Sequence, residues 1–110
     1  GGVVQTALEG GVTLNVKSGH IVLHTESILA AEWRTFVLTN NKITNVGDLV
    51  NVSMSLNDDL TDGTEGRLMA YVTKVEVGAA YIRVENLSST AATNAGNAKW
   101  VTYLVTNVGL

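Results

Sequence analysis

The chain has 110 residues, 7 Lys and Arg against 10 Asp and Glu, and neither Cys nor Pro. That length predicts one domain spanning residues 1–110 with its own core, and a hydrophobic fraction of 45% excludes a disordered tail. A net charge of −3 without any run of Lys or Arg argues against a nucleic-acid partner, and no apolar stretch reaches the length of a membrane span, so no membrane partner is expected.

The residue bias is toward strands and turns. Val occurs 16 times, Thr 13 and Asn 10, beside 11 Gly. Val and Thr are β-branched and fit a pleated surface, while Asn and Gly supply turns. In chain order, Val3 to Leu8 predicts a first strand. Val12-Thr13-Leu14-Asn15-Val16 alternates apolar and polar between Gly10-Gly11 and Ser18-Gly19, and predicts a second. His20 to Thr25 is a third. Ser27 to Trp33 fits either one helical turn capped by Ser27 or a strand. Arg34 to Thr39 is a strand turning at Asn40-Asn41.

Leu49 to Asn57 has the cleanest period of two, with Val50, Val52, Met54 and Leu56 on one face and Asn51, Ser53 and Ser55 on the other. Arg67 to Val77 is longer. Leu68, Ala70 and Val72 share one parity, Val75 and Val77 the other, which predicts a bulge near Thr73-Lys74. A tight turn at Gly78-Ala79 then leads into a hairpin partner with Ala80, Ile82 and Val84 inward and Tyr81, Arg83 and Glu85 outward. Lys99 to Val108 is the last strand; both its faces carry apolar residues, which predicts a central position. Two long loops, Asn57 to Gly66 and Leu87 to Ala98, are expected to be exposed and mobile. About eight short antiparallel strands predict an all-β fold, a single β-sandwich or jelly roll.

Residues with catalytic or metal-binding chemistry lack the required contexts. The acidic loop Asp58 to Glu65 suggests a Ca²⁺ site, but Leu60 and Met69 stand where the EF-hand pattern needs oxygen ligands, so a solvated turn is expected. His20 and His24 would share a ligand face on a helix; on a strand they lie roughly 13 Å apart, too far for one ion. No nucleophile elbow, phosphate loop or dinucleotide fingerprint is present, and the sequons at Asn51 and Asn86 are expected by chance in so Asn-rich a chain. The chain is therefore expected to be no enzyme and to use no cofactor and no metal.

The interaction candidates are apolar or aromatic. Trp33 with Arg34 beside it is either a core Trp under one end of the sandwich or an interface residue. Val3 and Val4 form an apolar N-terminal segment suited to an edge strand or to an arm that joins a partner's sheet. Tyr81, Arg83 and Tyr103 suggest an exposed polar-aromatic face.

The segment Val75 to Asn86, then a Ser/Thr/Gly loop, then Trp100-Val101-Thr102-Tyr103-Leu104-Val105, resembles the C-terminal half of small virion proteins of tailed phages. Length and the Thr/Asn/Val/Gly bias are similar to the capsid decoration (cement or staple) proteins, those of epsilon-fifteen-like short-tailed phages among them. The resemblance implies a non-enzymatic protein on the outer surface of the virion capsid. There it would clamp neighbouring subunits of the major capsid (coat) protein, as a homo-oligomer such as a dimer at twofold positions. It carries over no functional residue. Two rivals are a carbohydrate-binding or tail-fibre β-sandwich module and a self-associating shell or pilus subunit.

Overall fold

A computed structural model describes residues 3–6, 10–23, 27–56, 66–93 and 99–109. Its strands are β1 (Val3–Thr6), β2 (Gly11–Thr13), β3 (Ser18–Leu23), β4 (Trp33–Thr39), β5 (Leu49–Leu56), β6 (Leu68–Glu76), β7 (Ala79–Asn86) and β8 (Lys99–Thr106), and no helix occurs among the described residues. One sheet runs β1-β3-β8-β5; the other runs β4-β7-β6, with the three-residue β2 added at its β4 edge. The two pack face to face, as expected of a sandwich.

The period-two patterns explain the core. On β7, Ala80, Ile82 and Val84 are fully buried while Tyr81, Arg83 and Glu85 lie half-buried on the opposite face. Val101, Tyr103 and Val105 of β8 point into the same core, as do Phe36 and Leu38 of β4 and Ile21 and Leu23 of β3. Each large side chain buried this way stabilises the fold by about 1.5–3 kcal/mol relative to exposure. The strand β8 is central, between β3 and β5. The parity switch in β6 is a bulge: Val72 opposes Ile82, Lys74 opposes Tyr81, and the register shifts between them at Thr73. The hairpin turn holds Gly78 at φ +85°, a conformation that disfavours any side chain.

Several expectations are corrected. Strand direction is not uniformly antiparallel: β1 runs parallel to β3, and β2 parallel to β4. The first six strands alternate between the sheets. Within each parallel pair, β1 with β3 and β2 with β4, the strands are therefore two passages apart, and two reversals restore the direction. The second predicted strand keeps only Gly11–Thr13, although the ladder extends by one bond from Leu14 N–H to the Thr39 carbonyl (3.0 Å). The last strand stops at Thr106, where Asn107 and Val108 turn to bond Asp48.

Residues 27–32 form neither helix nor strand. They include a turn closed by Glu32 N–H to the Leu29 carbonyl (3.1 Å), with Ala31 at φ +61°. The loop after β7 is not free over residues 87–93. Thr93 is buried, its hydroxyl accepts the Ile28 N–H (2.8 Å), and its carbonyl accepts the Ser27 hydroxyl. The buried amide of Asn86 donates to the carbonyls of Ile28 (3.0 Å), Leu29 (3.2 Å) and Ala91 (2.9 Å), and its oxygen accepts Ser88 N–H (2.9 Å). Polar residues that read as solvent-facing are here the partners of a folded-back loop.

Candidate protein-interaction face

The outer face of the β7 sheet is set by register. Trp33 opposes Glu85, which opposes Met69; Thr35 opposes Arg83, which opposes Tyr71; and Val37 opposes Tyr81, which opposes Lys74. Strand pleating places these residues on the side away from the core. Three of the expected candidates, Trp33, Tyr81 and Arg83, therefore share one face.

Trp33 is 51% exposed, which removes the alternative of a core Trp. It opens β4 at the sheet's end, where Ile28 and Asn86 complete the core without it. The Arg83 guanidinium lies over its ring at 5.1 Å from the centroid, within cation–π range. The Arg83 Nε is buried without a hydrogen-bond partner, and no ion pair to Arg83 is found among the described residues. Beside this pair, the Tyr71 hydroxyl donates to Glu85 Oε1 (3.2 Å). Toward the hairpin turn, Lys74 Nζ meets Glu76 Oε1 at 2.7 Å and lies 5.5 Å from the Tyr81 ring centroid, while the Tyr81 hydroxyl donates to Glu76 Oε2 (3.5 Å). The hydrogen bond between them raises the Lys74 pKa and lowers that of Glu76. The pair is solvent-exposed and contributes little stability.

The other candidates separate from this face. Arg34 has the opposite parity to Trp33. Its guanidinium donates to the Trp33 carbonyl (2.9 Å) and pairs with Glu32 (3.4 Å), lining with Trp33 a shallow groove of about 410 Å³. Val3 lies on the other sheet, opposite His20, and lines a depression of about 310 Å³ with His20, Val22 and Trp100. Val4 opposes Ile21 in register, and its side chain lies outside the described residues. Val3 and Val4 belong to the chain's own sheet, paired in parallel with β3.

Tyr103 is not on any exposed face. It is buried, and its hydroxyl donates to the Val16 carbonyl (2.8 Å) and meets the Asn40 amide (3.3 Å). Within β8, Tyr103 shares its parity with the buried Val101 and Val105. Tyr71 takes its place on the surface. Its alternation with Ala70 and Val72 was the signal, weakened by the bulge that follows.

His20 is exposed, and its Nδ1 shares a hydrogen bond with Thr102 Oγ1 (2.8 Å). His24 and the acidic loop Asp58 to Glu65 lie outside the described residues. Among the described residues no three His, Asp or Glu side chains gather as a metal-ligand set. Asn86 is buried, so its sequon is closed to modification in the folded chain. No protein-family model matches the chain, and no curated protein or solved structure is significantly similar to it.

Proposed function

We propose that this chain is a non-enzymatic virion structural protein that binds the outer surface of an icosahedral phage capsid and clamps neighbouring coat subunits, on a sandwich of jelly-roll type. The observation that carries the reading is the half-exposed Trp33 held under Arg83 on the outer face of a hydrogen-bonded sheet. Trp and Arg dominate interface hot spots, and a sheet face presents them with little loss of conformational freedom on binding. The resemblance of Val75–Asn86 and Trp100–Val105 to decoration proteins supports the choice of partner. Many copies on one shell multiply a modest single contact.

A carbohydrate-binding or tail-fibre module is the second reading, because Trp33, Tyr71 and Tyr81 share one face. Sugar stacking needs open ring faces. Here Arg83 takes up one face of the Trp33 ring, Lys74 stands over Tyr81, and the hydroxyls of Tyr71 and Tyr81 are bonded to Glu85 and Glu76. That arrangement favours a protein partner.

Trp33→Ala separates the role of this face from folding. The variant should keep the melting temperature of the parent to within about 3 °C, since an exposed side chain contributes little to the core. Its affinity for undecorated heads should fall by about tenfold or more. Unchanged head binding would remove Trp33 from the contact, and retention of the parent on a glycan array would favour the sugar reading.

A further inference from the structure

Arg83 is the unusual cation of this chain. The protein carries 10 acidic residues against 7 basic ones, so an arginine has carboxylates to choose from. Yet among the described residues the Arg83 side chain has no hydrogen bond or ion pair, and its Nε is buried and unpartnered. Three other charges of the same outer face, Lys74, Glu76 and Glu85, are already engaged. Lys74 is paired with Glu76, and Glu85, on the same strand face as Arg83, accepts the Tyr71 hydroxyl. Across the strand from Arg83 stand Thr35 and Tyr71, neither of which carries charge at neutral pH. An unsatisfied donor on a buried atom is rare enough to need a reason.

Trp33 supplies half of that reason. The guanidinium carbon lies over its ring, 5.1 Å from the centroid, and a cation held over an aromatic face keeps its terminal nitrogens available to fork onto a carboxylate. The result is a preset cation beside an exposed apolar ring. We infer that Arg83 and Trp33 form an acceptor site for an Asp or Glu side chain of the partner protein, with Arg83 binding the carboxylate and Trp33 packing on the residue's stem and neighbours. This rests on the reading of the outer β7 face as a protein contact, and it names the chemistry of the partner: an acidic side chain on the coat surface.

The site can be probed without the coat protein. The amide-labelled chain is titrated with capped hexaglutamate and, separately, with hexalysine, while the Arg Nε–H and Trp indole resonances are followed by two-dimensional NMR. Hexaglutamate should shift the Trp33 indole and Arg83 Nε–H signals saturably, and hexalysine should not. Arg83→Gln should weaken the Trp33 response by about tenfold while the remaining amide spectrum shows a folded protein. Arg83→Lys, which keeps the charge but loses the fork, should fall between the two. No saturable shift, equal shifts with both peptides, or an undiminished response in Arg83→Gln would overturn the inference. Head binding separates the two levels. If the parent and Arg83→Gln bind undecorated heads equally, the acidic contact is wrong and the decoration role stands. If the parent ignores heads yet takes up hexaglutamate at Trp33, the acceptor site stands and its partner is not the coat.

Discussion

Asn86 shows how one side chain closes an end of the sandwich. Its amide joins the 27–29 segment to the loop after β7, and Gly66 passes so close that a Cβ there would lie under 3.0 Å from the Asn86 amide and the Ala91 carbonyl. Asn86→Ala would strand three carbonyls and the Ser88 N–H. It should lower stability by about 2–4 kcal/mol, read by urea unfolding; a loss under about 0.5 kcal/mol would mean water replaces the amide. At the opposite end, Asp48 accepts the backbone N–H of Val108 (3.0 Å), Thr44 (2.9 Å) and Asn45 (3.2 Å) and the Asn107 amide (2.8 Å). These bonds, the Val108 N–H foremost, hold its pKa at about 2, below the ordinary 3.8. The folded carboxylate is favoured over the unfolded one, so its contribution is full above pH 4 and fades as pH falls toward 2. The stability gap between the parent and Asp48→Asn should therefore narrow across that window in acid titrations, and a gap independent of pH would contradict the assignment. Neither hub was legible in the sequence. A buried Asn or Asp and a surface one are the same letter, and only the backbone groups that a loop brings back decide between them.

At the scale of elements, apolar spacing carried the most information. The bulge in β6 followed from the odd separation of Leu68 and Val75, and it appears at Thr73 because an extra residue is what returns Val75 to the core face. The β6–β7 hairpin followed from Gly78, whose φ of +85° is left-handed and whose backbone bonds the loop before β5: Gly78 N–H donates to the Ile43 carbonyl (2.7 Å) and Asn40 N–H to the Gly78 carbonyl (2.8 Å). Nothing lies within 4 Å of a Cβ at this position, so Gly78→Ala tests backbone strain alone. It should cost about 1–2 kcal/mol, measured by thermal unfolding; no loss would show that the turn relaxes. Ala31 is the converse case, a non-glycine residue at φ +61°. Ala31→Gly should be neutral or stabilising, by up to about 1 kcal/mol. The stretch around Ala31 was ambiguous because Ile28-Leu29-Ala30-Ala31 has no period of its own: Ile28 fills the core and Leu29 faces solvent, as an irregular turn allows.

For the whole molecule, the two sheets share one plan: two parallel strands, then an antiparallel one, then a fourth strand antiparallel to that. Burial patterns state which face of a strand is inside, and carry no record of its direction or of which strand lies beside it. That is why the sandwich was readable and its parallel pairs were not. The candidate face was half readable for the same reason: alternation exposed Tyr81 and Arg83, while register alone brought Trp33 to them. The topology also places early and late chain side by side, with His20 bonded to Thr102 across 82 residues. Such pairing makes folding slow, on the order of milliseconds to seconds. An exposed Trp–Arg pair on a hydrogen-bonded sheet suits the proposed clamp on a shell, since a protein that binds only the assembled state stabilises it by mass action. The most direct test mixes the protein with undecorated heads and sediments them through a gradient before and after heating. Saturable co-sedimentation is expected, with heads that survive a higher temperature when decorated. Protein that remains at the top of the gradient across a range of salt concentrations, with no change in head stability, would contradict it.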